Sequence, residues 1–195
     1  ILCVAETLFA RHGFAGASLR QVTAAANVNL AAVNYHFGSK ESLIEEVFRR
    51  RLDELNRHRL AALAAIGANP QCTLEDVLDA FVRPALEQSM DAAGGSAFVR
   101  VLARAYAEHD ERLRKFLSDN YGHVLREFVG AFSLLLPHLA REELYWRLDI
   151  VAGALTYAMA DFGVIKRKNS VSEQSHREQS AQHLVRFAAA GLRAA

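Results

Sequence analysis

The sequence predicts an all-α fold, and three features carry that prediction. Apolar residues recur three and four apart from Ile1 through Leu192, no stretch alternates apolar and polar side chains as a half-buried strand would, and Gly, Asn and Pro punctuate the periodic runs. Within that class the expected architecture is an N-terminal three-helix helix-turn-helix domain, residues 1-42, followed by a helical ligand-binding and dimerisation domain, residues 43-195.

Ile1, Val4, Ala5, Leu8 and Phe9 share one face of a first helix, which Gly13 is placed to end. Ser18 and Gln21 form a capping box: the hydroxyl takes an orphan amide while the glutamine reaches back to the cap's own N–H. A second helix starts there, carries Val22 and Ala26 at helical spacing, and stops at Asn27, a residue that tolerates the left-handed conformation a sharp turn requires. Asn29 then caps a third helix from Leu30 to Phe37. Leu8, Phe9, Phe14, Leu19, Val22, Val28, Val33 and Phe37 are the expected common core.

Two short helices joined by so few residues make a helix-turn-helix, although the same signal also describes an αα-hairpin in an ordinary helical domain. On the third helix Val33 and Phe37, four apart, face the core, which turns Asn34, Tyr35 and His36 outward. Ala31 and Ala32 allow close approach, Leu30, Ala31 and Ala32 offer methyl contacts to thymine, and Tyr35 and His36 are placed to hold the DNA backbone. Arg20 reaches from the second helix toward a base or phosphate, and Ser18 and Asn29 at the two helix starts complete the expected contact set. No acidic residue lies between Glu6 and Glu41, whereas Arg11, Arg20 and Lys40 do, so the segment can face phosphate without repulsion. Lys40, at the amino end of the next helix, is expected to bind a phosphate together with the amides there.

That next helix starts at Gly38 or Ser39 and runs to about Ile66. Ile44, Val47, Phe48, Leu52 and Leu55 form its stripe, with Glu45, Arg49, Arg50 and Arg51 largely elsewhere. Gly67, Asn69 and Pro70 break the chain, after which Thr73 to Asp76 repeats the capping-box pattern and opens a helix that Pro84 is expected to kink. Further apolar stripes follow over Phe98 to Tyr106, Leu113 to Phe132, and Leu144 to Phe162. The stretch Gly163 to Ser175 is polar and read as a loop, and a last helix carries Ala181, Leu184, Val185, Ala188 and Leu192.

The helix ending near Phe162 is apolar on more than one side, with Ile150, Ala154 and Tyr157 off its main stripe, and the last helix presents Ala188, Ala189, Ala190 and Gly191. These two helices are expected to pair two copies of the chain, and a two-fold pair of recognition helices suits a palindromic double-stranded DNA operator. Aromatic residues at helical spacing are usually core. Their number between the break and Phe162 nonetheless suggests a cavity for a small apolar effector among Phe81, Phe98, Leu102, Tyr106, Tyr121, Phe128, Tyr157 and Met159, with Arg100 and Arg104 as candidate partners for an acid head.

Composition bounds the rest. At 195 residues, 51% hydrophobic and 23% charged, the chain has ordinary globular composition for one or two domains. A net charge of +1 restricts any nucleic-acid contact to a local patch. Cys3 and Cys72 are read as reduced core thiols of a cytoplasmic protein, and no zinc spacing calls for a metal or other cofactor. No run is apolar enough to cross a bilayer, so no membrane partner is expected. The chain opens in a helix with no initiating methionine, which leaves room for a preceding N-terminal arm. An enzyme using the aromatic cavity finds no support in HExxH, GxSxG or phosphate-cradling patterns among the eight histidines and the glycines, and His109 beside Asp110 reads as a helix-end pair. A dimer regulated by a protein partner is the other alternative.

The stretch Ser18 to Glu41 resembles, without gaps, the DNA-binding domain of TetR-family transcriptional regulators, and its tail YHFGSKE is similar to that family's aromatic, Phe, Lys signature. Asn27 and Ala31-Ala32 stand where members often have Gly and Gly-Thr, a departure that bears on which operator is read. VNLAAVNYHFGSK, LRKFLSDNYGHVLREFV, ELYWRLDIVAGALTYAM and AAAGLRAA resemble the fatty-acid-responsive repressors of pseudomonads within the family. The resemblance implies a dimer formed through the last two helices and a repressor released by a long-chain fatty acid or acyl-CoA.

Overall fold

A computed structural model of the chain describes residues 1–67, 69–89, 94–108, 110–160 and 172–194. Among them run nine helices: α1 (Leu2–Gly16), α2 (Leu19–Ala26), α3 (Leu30–Phe37), α4 (Lys40–Gly67), α5 (Leu74–Ser89), α6 (Gly95–Glu108), α7 (Glu111–Leu135), α8 (Arg141–Met159) and α9 (Glu173–Arg193). They pack as two compact units, one of Ile1–Glu54 with Ser89–Asn120 and one of Leu55–Gln88 with Tyr121–Ala195. The unit boundaries therefore fall inside α4 and α7 and at the last residue of α5.

In the first unit Phe9, Phe14, Val22, Leu43, Val47, Phe48, Phe98 and Val101 form one buried cluster, with Leu8, Leu19, Phe37 and Leu102 packed against it. The Phe9 and Phe14 rings and the Phe48 and Phe98 rings each meet edge-on at 5.8 Å. Gly13 ends the regular part of α1 with φ +73°, as expected, and one further turn follows to Gly16. The positive φ favours glycine, and a Cβ there would lie 2.6 Å from Glu108 Oε1, so the carboxylate would have to shift. That carboxylate accepts the Phe14 N–H with both oxygens, at 3.1 and 3.2 Å, and ties α1 to α6.

Arg51 lies on the buried stripe of α4 and not off it. Its guanidinium grips Glu6 of α1 with two bonds, Nε to Oε2 at 3.0 Å and Nη2 to Oε1 at 2.9 Å, and the two side chains are only 4% and 2% exposed. The turn ahead of α6 passes so close that a Cβ on Gly94, at φ +116°, would sit 2.6 Å from Arg51 Nη2 and 2.9 Å from Glu6 Oε1.

In the second unit α5 buries Leu74, Val77, Leu78, Phe81, Val82 and Leu86, α7 buries Val124, Phe128, Val129 and Phe132, and α8 buries Leu144, Leu148, Val151, Leu155 and Met159. Thr73 and Asp76 form the expected capping box at the start of α5, and the helix continues through Pro84. Arg147 of α8 donates to the carbonyls of Gly191, Leu192 and Ala194 and so satisfies the open C-terminus of α9. Arg193 of α9 pairs with Glu75 of α5 through two bonds and holds that carboxyl below its ordinary pKa.

Two further expectations change, and one is met in part. Ser172 caps α9 by accepting the Ser175 N–H, so the helix starts at Glu173 and the predicted loop is shorter; its residues 163–171, with Phe162, lie outside the described residues. Asp110 accepts the Leu113 N–H and caps α7, in keeping with the helix-end reading, while His109 lies outside the described residues. Cys3 is exposed and Cys72 half-buried, so neither is a core thiol, because Cys3 falls between the buried positions of α1 and Cys72 precedes α5. Among the described residues no helix is long and apolar enough to cross a membrane.

Candidate nucleic-acid interface

Local hydrogen-bond chemistry builds the helix-turn-helix. Ser18 Oγ accepts the Gln21 N–H at 3.3 Å while Gln21 Oε1 accepts the Ser18 N–H at 2.8 Å, which starts α2. Asn27 turns the chain at φ 51°, ψ 48°, and the Val28 N–H returns to the Thr23 carbonyl at 3.0 Å. Asn29 Oδ1 accepts the Ala31 N–H at 2.8 Å and starts α3. Val22 and Val33 are fully buried beneath the two helices.

With Val33 inward, α3 presents Ala31, Ala32, Asn34, Tyr35 and His36 to solvent, and Leu30 is half-buried at its base. Tyr35 is 87% exposed, an unusual condition for a large aromatic, and its ring meets that of His36 edge-on at 5.4 Å. Arg20 is exposed on α2, and among the described residues its side chain has no partner. Ser18 and Asn29 also lie at the surface, but their side-chain oxygens are engaged in the caps, which leaves Asn29 only its amide N–H groups to offer.

Lys40 is placed differently from the expectation. Its Nζ donates to the carbonyls of Phe14 at 2.9 Å and Ala17 at 3.3 Å, so the ammonium closes the C-terminal end of α1 onto the start of α4. The amides expected to join it on a phosphate are also occupied: Ser39 Oγ accepts the Ser42 N–H at 3.1 Å. The Glu41 carboxylate turns back onto its own amide, and that bond, with Ser39, Lys40 and Arg112 nearby, lowers its pKa. The Glu41 and Ser42 amides at the positive end of α4 are thus engaged from within the chain.

The eight residues expected to line an effector cavity divide between the units. Phe98 and Leu102 belong to the core of the first unit, where α6 packs on α1, and Tyr106 of that unit is exposed. Phe81 and Phe128 meet edge-on at 5.1 Å inside the second unit, with Tyr121 half-buried, Met159 buried and Tyr157 exposed. Arg100 and Arg104 are exposed on α6. The second unit also holds a cleft of about 320 Å³ lined by Arg83, Leu86, Glu87, Gln174, Arg177 and Glu178, which is charged and shares none of the expected residues.

Two family profiles cover most of the chain, "Bacterial regulatory proteins, tetR family" over residues 1–47 and "Tetracyclin repressor-like, C-terminal domain" over residues 79–191. The chain belongs to the TetR family. It is thus a DNA-binding transcriptional regulator with a helix-turn-helix head, and the enzyme alternative falls. Residues of this TetR-family chain are 36% identical over 76 positions to the HTH-type transcriptional repressor KstR2 of Rhodococcus jostii, a match spanning 38% of the chain and 36% of that relative. Its fold is similar to that of the TetR family transcriptional regulator PfmR from Thermus thermophilus, with a TM-score of 0.59 at 20% identity over 99% of the chain and 98% of that structure. It is equally similar to the ketosteroid transcriptional regulator KstR2 of Mycobacterium tuberculosis, with a TM-score of 0.59 at 17% identity over 97% and 91%.

Proposed function

We propose that this TetR-family chain is a homodimeric repressor that works in the cytoplasm, holds a palindromic operator through two copies of α3, and releases it on binding a small apolar effector. Residues 1–42 carry the DNA contacts in this reading, and residues 43–195 carry effector binding and pairing. The observation that supports it most is the outward face of α3, where Asn34, Tyr35 and His36 stand exposed over a buried Val33 in a segment with no carboxylate between Glu6 and Glu41. Asn34 reads a base edge, Leu30, Ala31 and Ala32 supply methyl contacts, and Tyr35, His36 and Arg20 hold phosphates, with Ser18 and Asn29 at the rim. Binding-site selection on the purified protein tests this. Asn34→Ala is expected to relax preference at one position of each half-site, and Tyr35→Ala to weaken all sequences alike by roughly 1–3 kcal/mol. An unaltered selected sequence with Asn34→Ala removes that residue as a reader.

Lys40 acts in this reading as a clamp between helices. Lys40→Ala is expected to cost about 1–2 kcal/mol of stability, measured by denaturant unfolding, from the loss of charge-assisted bonds to the two carbonyls. The salt dependence of DNA binding should hold nearly constant, whereas loss of a phosphate contact would flatten its slope by about 0.9.

Pairing is supported by α8 and α9, where Trp146, Ile150, Tyr157 and Phe187 are each more than half exposed. Trp146, Ile150 and Tyr157 recur at helical spacing on one side of α8, around an exposed Gly153. For the effector, an apolar molecule such as a long-chain fatty acid or its acyl-CoA fits the second unit, in which Phe81, Tyr121, Phe128 and Met159 stay as lining candidates.

A further inference from the structure

We infer that the cleft between α5 and α9 is a second ligand site and that it takes a small zwitterion, with the carboxylate on Arg177 and the ammonium on Glu87. The inference goes beyond the proposed apolar effector, whose lining candidates Phe81, Tyr121, Phe128 and Met159 take no part in the cleft. Helical spacing within the second unit builds its walls. Leu86 and Glu87 follow Arg83 by three and four residues on α5, and Gln174, Arg177, Glu178 and Ala181 recur at the same spacing on α9. Its volume of about 320 Å³ falls at the lower end of the range of small-molecule sites.

The charges of the cleft divide into a closed group and an open one. Arg83 is closed: Nε and Nη2 donate to the two oxygens of Asp79 at 2.8 and 2.9 Å, and Nη1 and Nη2 donate to Glu178, which also accepts from Gln182. Arg177 is open. Its Nε is buried without a hydrogen-bond partner, and its Nη2 stands 3.8 Å from Glu173, too far for a hydrogen bond. A buried guanidinium N–H without an acceptor costs free energy, and native interiors keep such groups where a ligand or water completes them. The side chain as a whole is 28% exposed, so a carboxylate can reach the guanidinium. Glu87 is exposed on the α5 wall, and among the described residues its carboxylate has no partner. One open cation on α9 and one open anion on α5 match a ligand that carries both signs. A plain anion would gain Arg177 but meet Glu87 and Glu178, and a plain cation would gain Glu87 but meet Arg177 and Arg83. Leu86 and Ala181 offer apolar wall to a short aliphatic body.

Calorimetric titration of the full chain with three compounds tests the assignment: L-leucine, isocaproate, which lacks its ammonium, and isoamylamine, which lacks its carboxylate. L-leucine is expected to bind about tenfold or more tightly than either, since each head adds a charge-assisted bond. Arg177→Gln should cost about tenfold for L-leucine and isocaproate and leave isoamylamine unchanged. Glu87→Gln should cost as much for L-leucine and isoamylamine and spare isocaproate. Both variants should melt with the parent, because neither side chain ties α5 to α9. Equal affinity for the three compounds overturns the zwitterion, and unchanged L-leucine affinity in either variant overturns that residue's role. Absence of L-leucine binding overturns the site itself and leaves the apolar effector standing.

Discussion

Arg51→Met is expected to destabilise the first unit by about 3–5 kcal/mol, because it leaves the Glu6 carboxylate in a site that is 2% exposed without the guanidinium that grips it. Against a total stability of roughly 5–15 kcal/mol for a domain, such a loss is large and should lower the melting temperature by about 10 °C. Lost packing of the arginine stem contributes a smaller share. The double variant Glu6→Leu with Arg51→Met separates the two contributions: removing both charges is expected to restore most of the stability, since a buried pair and an apolar substitute of like volume differ little. Thermal unfolding of the two variants is the measurement, and a single variant that melts with the parent would falsify the account of the pair as a structural tie. The pair joins α1 to α4 at the turn where Gly94 approaches, so its loss should also loosen the seat of the helix-turn-helix and reduce operator binding in step with stability.

What the sequence made legible was chemistry confined to a few neighbouring residues. Ser18 with Gln21, Asn27 in the left-handed region, Asn29, and Thr73 with Asp76 each make the bond their spacing predicts, because a cap or turn is decided within one helical turn. The outward face of α3 followed for the same reason, since Val33 and Phe37 fix its phase. The seat of the Lys40 ammonium was not legible, because its partners are the carbonyls of Phe14 and Ala17 and nothing local to Lys40 says that the end of α1 lies there. Arg51 carried a signal that went unused: it sits three and four residues from Phe48 and Val47, on the stripe itself, and a charge in that phase needs a partner such as Glu6, the one charge on the apolar first helix facing inward. The packing of the expected effector residues was illegible for another reason. Apolar periodicity says that Phe98 and Phe128 are buried but not against what, and α6 gives its stripe to α1 while α7 gives Phe128 to Phe81.

The surface of α8 and α9 carries the other large expected effect. Trp146→Arg combined with Ile150→Glu should convert the protein to monomers in sedimentation and weaken binding to a full palindrome by about 10²- to 10⁴-fold, the advantage that tethering two half-site contacts confers. Both side chains are more than half exposed in the single chain, so their replacement leaves the buried stripe of Leu144, Leu148, Val151, Leu155 and Met159 intact, and circular dichroism should report unchanged helix. Opposite charges were chosen to keep net charge constant, which prevents a nonspecific change in DNA affinity from imitating the loss of pairing. A charge-neutral control, Leu134→Gln, alters a still more exposed apolar residue at the end of α7 and should leave both mass and binding unchanged. If the α8 double variant still sediments as a dimer, pairing uses another surface. If it is monomeric yet holds the full palindrome as tightly as before, the two half-sites are not read by a pair and the proposed geometry of repression fails.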